Sequence, residues 1–431
     1  FHDRFRHAYP GFGPQSPRLQ VLFLSPYPIY PPHHGGAALM SQALRHLTKL
    51  CDVHLVVMIE DESDRQPHLD EAGRFASMHL LVRPPSESGN RFGLLPKAVR
   101  EFDLPELHAL LHRIIFENSI DVLQVEYTHL AQYAETYRRV VTGLFEHDVY
   151  FQSVGRQVRN ANLIANPLPG LEYLRALRFE VKALEKVDHI QVCTDTNRQY
   201  LESFLPGLAS RIDPRLRAGI DVSSFPAGRD RRIPDTLLFV GNFRHLPNRE
   251  GLHWLLNFVM PRILDAHSST RLRIVGPNPL LLGLPEPLPH WVDLLGPVDD
   301  VQTHLRECAV FVCPVLTGSG VRVKLLEAFA SGIPVVATPI GAEGLIFPEQ
   351  PVCAIAESPE DFARSVLQLL ANPERGSQMA EAAHRMVVAD WDAEQNTRRL
   401  VARYHQLLNE KAARQLQPAS RDLSPASKLF S

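Results

Sequence analysis

Two kinds of apolar pattern alternate along this chain. Short continuous apolar runs read as strands buried in a parallel sheet, and stretches with apolar residues every three or four positions read as helices laid against it. Val21–Pro28 (VLFLSPYP) is the first run, Ala37–Leu50 the first helical pattern and Asp52–Ile59 the second run. The alternation continues with a helix at Leu107–Phe116, strands at Asp121–Glu126 and Val140–Phe145, a helix at Leu171–Val187 and a strand at His189–Thr194. It is interrupted at Pro226–Pro234 (PAGRDRRIP), a charged segment bounded by prolines that predicts a hinge. It then restarts with strands at Leu237–Gly241, Arg271–Val275 and His290–Leu295, and helices at Glu250–Leu264 and Val298–Glu307. After the stretch considered next come helices at Ser358–Ala371, Glu374–Val388 and Ala393 to about Ala413. The pattern predicts an α/β protein of two doubly wound, Rossmann-like lobes.

The boundaries that follow are a loose arm over 1–18, a first lobe over 19–225, a hinge over 226–234, a second lobe over 235–389, a last helix over 390–413 and a disordered tail over 414–431. Arg83–Asn90 is a further polar, proline-bearing linker inside the first lobe.

Candidate chemistry concentrates in Cys308–Glu343, which reads as strand, glycine loop, helix, strand. Gly318-Ser319-Gly320 leads into a helical stretch at Val321–Ser331, Gly332 stops it, and Ile333–Ala337 is a β-branched run. A glycine loop at a helix N-terminus exposes amides beside the positive end of the helix dipole, a setting for phosphate. Gly320, Lys324, Glu327 and Ser331 recur at steps of four, three and four and so share a face. Lys324 can neutralise a phosphate, and Glu327 can accept from the paired hydroxyls of a ribose. The plain alternative is a solvated Lys324–Glu327 ion pair beside glycines that only turn the chain. The dinucleotide fingerprint fails, because Val323 stands where a third glycine is needed.

The segment GSGVRVKLLEAFASGIPVVAT resembles the donor site of the retaining glycosyltransferases of family 4, which have the GT-B fold, with two lobes facing across a cleft. The resemblance spans roughly Val21–Leu408. It implies transfer of a sugar from a nucleotide diphosphate donor to a hydroxyl acceptor (a glycan, a lipid-linked sugar or a small molecule), with retention and without a metal or other cofactor. It implies that Glu327 binds the ribose and that Arg244, with Lys324, holds the pyrophosphate. Val298, in the loop Gly296–Val298, would lie near the base, and Gly35 and Gly36 would approach the donor across the cleft. His147, in Glu146-His147-Asp148, would face the transferred sugar, with Asp148 beside it, and the helix from Ala393 would cross back to the first lobe. In the common pattern a glutamate stands eight residues before Glu327; here that position is Ser319, as in a branch with a G-[ST]-G loop. An epimerase or phosphorylase on the same fold, or a silent sugar-nucleotide-binding scaffold, are the alternatives.

Bulk properties narrow the field further. A net charge of −3 over 431 residues supplies no basic field for nucleic acid. The five cysteines are scattered and sit mostly in apolar runs, which predicts reduced structural thiols in a cytoplasmic setting. No metal-ligand spacing stands out, and Asp390-x-Asp392 reads as helix capping. Leu107–Phe116 reads as core packing, its polar face carrying only His108, His112 and Arg113. No apolar run is long enough to span a bilayer and no signal peptide is visible; the chain begins at Phe1, as a trimmed piece would. Arg156, Arg159, Arg175, Arg178, Lys182 and Lys186 form a basic stretch, by default a solvated face and otherwise a surface for a phosphate-bearing acceptor. Peripheral contact with the inner membrane face is the corresponding expectation for location.

Overall fold

The computed structural model describes residues 18–83, 93–134, 140–159, 166–225, 232–318, 320–345 and 351–416. Most of the arm, the polar linker and the hinge, Ser319, and the tail from residue 417 lie outside the described residues.

The first lobe is built on β1 (Gln20–Ser25), β2 (Asp52–Ile59), β3 (Ser77–Val82), β4 (Val122–Glu126), β5 (Val141–Glu146) and β6 (His189–Val192). All pair in parallel, in the order β3-β2-β1-β4-β5-β6. The second lobe uses β7 (Ile233–Val240), β8 (Arg271–Val275), β9 (Val292–Gly296), β10 (Cys308–Cys313), β11 (Val335–Ala337) and β12 (Ala354–Ile355), in the order β12-β11-β10-β7-β8-β9. Counted within each lobe, the two orders are the same. Each sheet reverses its winding once, between β1 and β4 in the first lobe and between β7 and β10 in the second. Loops leaving the carboxyl ends of strands at such a reversal splay apart and leave a crevice, which is where doubly wound sheets bind ligands.

The central strands are continuous apolar runs because helices cover both faces: Val21, Leu22 and Leu24 are fully buried, as are Leu237, Leu238 and Phe239. In the helix Pro105–Glu117, Leu107, Leu111 and Ile114 are buried, so its apolar stripe faces the core as expected. Strand β7 begins inside the segment read as hinge. Arg232 holds its start, donating to the carbonyls of Leu305, Cys308 and Gly332 at 3.2, 2.8 and 2.6 Å. The helix Tyr150–Arg159 is strongly amphipathic, with Phe151 buried in the first-lobe core and Tyr150 and Val154 packed against it. Its first amides, Tyr150 N and Phe151 N, donate at 3.0 and 2.7 Å to the carboxylate of Glu180, a cap supplied thirty positions downstream.

The last helix, Ala393–Leu416, leaves the second lobe and packs on the first. Leu400, Tyr404, Leu407 and Leu408 join Val21, Phe23 and Val53 in one core. Its N-terminus is stitched to the chain that links the lobes: Ile220 N donates to Trp391 O at 2.8 Å and Ala393 N to Ile220 O at 2.9 Å. A β-carbon on Gly219 would lie 2.7 Å from the Ala393 backbone, so the crossing requires glycine. Asp392 Oδ1 accepts from Gln395 N at 2.8 Å, which is the capping expected of Asp390-x-Asp392. A further apolar cluster joins the lobes at the base of the cleft, with Leu39, Phe145 and Cys193 against Val323 and Leu326.

Candidate functional site at the facing crevices

In the first lobe, β1 runs into a loop that ends at His34. The His34 ring caps the helix Gly35–Leu50, its Nδ1 accepting from Ala37 N at 3.2 Å. Gly35 and Gly36 form the first turn, not a loop ahead of the helix. A β-carbon on Gly36 would lie 1.8 Å from the Tyr127 hydroxyl, and one on Gly35 would lie 3.2 Å from Val323 Cγ2 of the second lobe. Close approach therefore demands glycine at 36, while at 35 it leaves only a tight contact with the opposite lobe. His68, fully buried, steadies the loop, its Nε2 accepting from Ile29 N at 3.0 Å and Tyr30 N at 3.3 Å.

Across the reversal point, β4 ends in Glu126 and Tyr127. Tyr127 is held at φ 65°, a conformation costly for a residue with a β-carbon and typical of functional crevices. Its ring stacks on that of His147 at 4.1 Å between centroids and 13° between planes. His147 follows β5 and is 6% exposed, and its Nε2 lies 2.6 Å from Glu126 Oε2. The carboxyl of Glu146 is pushed up to about 8 by burial, against the pull of a hydrogen bond from the Thr128 hydroxyl. Glu180 is raised well above the carboxylate range, first by burial and then by the charge of Glu146.

In the second lobe, β7 leads to Asn242, Phe243 and Arg244. Asn242 Nδ2 donates to His33 O at 3.0 Å across the cleft, while its Oδ1 accepts from the Arg244 amide at 3.0 Å. The Arg244 side chain is exposed. From β10 the chain passes through Gly318, at φ 109°, and Gly320, at φ 77°, into the helix Val323–Ala330. Lys324 does not pair with Glu327. Its Nζ donates to Val240 O at 3.0 Å and Asn248 Oδ1 at 2.8 Å and lies 5.0 Å from the centre of the Phe239 ring. Burial lowers the Lys324 pKa, Arg322 adding to the effect, and burial pushes Glu327 up to about 7 against the pull of Lys324. Val298 packs, half-buried, on the cluster at the base of the cleft.

The lobes meet at the glycine loop. Arg156, from the first lobe, donates to Gly318 O at 3.0 Å and pairs with Glu343 at 2.6 Å. The structure thus brings Gly35, Gly36, His147, Asp148, Gly318 and Gly320 to one seam, with Lys324 on the helix behind it. Sequence reasoning missed Glu126, Tyr127 and His34, and read Arg156 only as part of a basic stretch, where the structure pairs it with Gly318 and Glu343. Glu126 closes a strand whose carboxyl end faces the crevice, a signal already used for His147; nothing local distinguishes Arg156.

Residues 234–372 match the family model described as glycosyl transferases group 1. The chain is 30% identical over 190 residues to an exopolysaccharide phosphotransferase of Streptomyces coelicolor, covering 40% of this chain and 19% of that protein. It is 31% identical over 115 residues to a phosphatidyl-myo-inositol mannosyltransferase of Mycobacterium leprae, covering 26% of this chain and 30% of that protein. The chain thus spans less than a third of the length of either relative. Among solved structures, a sucrose-phosphate synthase from Thermosynechococcus elongatus superposes with a TM-score of 0.70 at 16% identity, covering 91% of this chain and all of that one. HepE of Anabaena, solved with UDP and glucose, gives 0.62 at 12% identity, covering 90% of this chain and all of that one. These likenesses establish the GT-B fold.

Proposed function

We propose that this protein is a glycosyltransferase that moves a sugar from a nucleoside-diphosphate donor to a hydroxyl acceptor within the cleft, with retention and without a metal. One observation carries the reading: the two reversal points face each other, one offering a glycine-started helix and a buried histidine, the other a left-handed glycine loop above a half-buried lysine. As the sugar bond breaks, the leaving diphosphate gains negative charge. Two of the three Lys324 N–H groups are directed at Val240 O and Asn248 Oδ1, which leaves the third for a phosphate oxygen. Arg244 reaches the diphosphate from the open side, and amides near Gly318 and Gly320 complete its cradle, together taking the role a metal would otherwise play. Glu327 accepts from the ribose and Val298 flanks the base. His147 faces the transferred sugar with Asp148 beside it. The acceptor hydroxyl attacks on the face the phosphate leaves, the phosphate taking its proton. Closed lobes keep water from the donor.

UDP and glucose in HepE, and the mannosyltransferase name of one relative, support a sugar-nucleotide donor. On the helix Leu168–Leu184, Leu168, Leu171 and Leu174 are exposed ahead of exposed Arg178 and Lys182. This face suits peripheral contact with anionic lipid, such as would carry a lipid-linked acceptor. Co-sedimentation with phosphatidylglycerol but not phosphatidylcholine vesicles, lost in Leu171→Glu/Leu174→Glu, tests it. For the reaction, the protein is incubated with UDP-glucose, GDP-mannose and ADP-glucose and assayed for nucleoside diphosphate. Release in the presence of EDTA, abolished by Lys324→Ala, is expected; no release from any donor, with an acceptor extract present, overturns the reading.

A further inference from the structure

The bond between His147 and Glu126 is the last link of a longer buried chain. Tyr404, on the crossing helix, donates from Oη to Gln124 Oε1 at 2.7 Å. The Gln124 amide donates from Nε2 to Glu126 Oε1 and to Gln191 Oε1, both at 3.1 Å. Glu126 Oε2 then meets His147 Nε2 at 2.6 Å. None of these five residues is more than 6% exposed.

Gly143 supplies an independent sign that this chain is built. It lies within β5, directly opposite Gln124 on β4, where glycine weakens a strand. A β-carbon there would stand 2.3 Å from Gln124 Oε1 and 3.8 Å from Tyr404 Cε1. Only glycine leaves room for the link to the crossing helix. A cavity of about 30 Å³, room for a water, borders Gln124, Glu126 and Gln191 together with Asn396 and Thr397.

The chain has a direction. Burial raises the Tyr404 hydroxyl well above its ordinary pKa, so it remains a donor. Its proton engages the amide oxygen of Gln124 and turns the NH₂ group towards Glu126; the opposite orientation would set an amide oxygen against a carboxylate. With one oxygen facing that amide and the other facing the ring, Glu126 holds the His147 proton on Nε2, as a carboxylate orients an imidazole elsewhere.

We infer that Tyr404 and Gln124 are positioning residues for His147, so that docking of the crossing helix, 280 positions away from Gln124, sets the orientation and tautomer of an imidazole in the cleft. The inference rests on the role proposed for His147. Its test is a cycle of Tyr404→Phe and His147→Ala, read as nucleoside diphosphate release from whichever of UDP-glucose, GDP-mannose and ADP-glucose is turned over. Tyr404→Phe is expected to lower kcat about tenfold with the donor KM within about twofold. In the His147→Ala background it should cause no further loss. Nitrogen NMR of the His147 ring supplies a readout that needs no turnover: Tyr404→Phe, and independently Gly143→Ala, should move its resonances. Unmoved resonances in both variants, or the same loss of kcat with His147 absent, would overturn the inference. Moved resonances in a protein that turns over no sugar nucleotide would leave the relay standing and remove the transfer reading.

Discussion

Gly320 and Asp148 belong to different lobes, yet a β-carbon on Gly320 would stand 2.5 Å from Asp148 Oδ1 and 3.2 Å from His147 O. The glycine loop of the second lobe therefore lies directly on the carboxyl end of β5, and the absence of a side chain at position 320 is what lets the two lobes meet there.

Gly320→Ala should hold the lobes apart. A left-handed φ costs a residue with a β-carbon about 1–2 kcal/mol, and the contact with Asp148 adds to it. The donor KM should rise at least about fivefold while Tm falls by only about 2–4 °C. An unchanged KM would mean that the closed seam is not used in binding.

Arg156→Ala removes the strap to Gly318 and Glu343. The pair is partly exposed, so stability should change by about 1 kcal/mol or less. Donor affinity should still fall by about threefold to tenfold, because the loop is no longer held from the first lobe. Calorimetry against UDP and a thermal melt separate the two effects.

Glu327 gives a pH dependence of known sign. Its ordinary value is 4.5 and burial pushes it up to about 7, so the folded chain binds this proton more tightly than the unfolded one. Its contribution to stability is fully present below pH 4.5 and is lost as pH rises through about 7. The contribution of Glu327 is read as the Tm of the native chain minus that of Glu327→Gln, and this difference should fall as pH rises from 5 to 8. Glu327→Gln should also weaken UDP binding about tenfold, through loss of the charged acceptor for the ribose hydroxyls.

The buried histidines act with the opposite sign. Burial lowers His34, His129 and His189 to about 4, from an ordinary 6.5. The stability linked to their neutral forms is present above pH 6.5 and is lost as pH falls towards 4. The native chain should therefore lose several degrees of Tm between pH 6.5 and 5. His129→Phe keeps an aromatic ring against Phe102, with which His129 stacks at 5.7 Å, and should lose less over that interval.

Much of the second lobe's site was legible because its logic is local. Glycines at 318 and 320 marked a loop leading into a helix, and helical spacing placed Lys324 and Glu327 on one face; that both glycines adopt positive φ is seen only in the structure. The expectation of an ion pair between them was the alternative the structure discards: Lys324 is drawn to Val240 O and Asn248, which spacing along one helix cannot reveal. The helix Tyr150–Arg159 was not expected although Tyr150, Phe151 and Val154 give it an apolar stripe; only its start lacked a local signal, since its N-terminal amides are satisfied by Glu180, far along the chain.

By itself, the sequence determined two α/β lobes, their buried strands and the glycine loop that leads into the helix carrying Lys324 and Glu327. These depend on periodicity and backbone preference within a few residues, and both are written where they act. Tertiary structure alone decided that Glu126 meets His147, that Arg156 grips the opposite loop and that Tyr404 completes a chain begun at β4. Such contacts depend on strand order and on how two independent sheets are set against each other. That choice is made by burial summed over whole cores, and no single stretch of residues carries it.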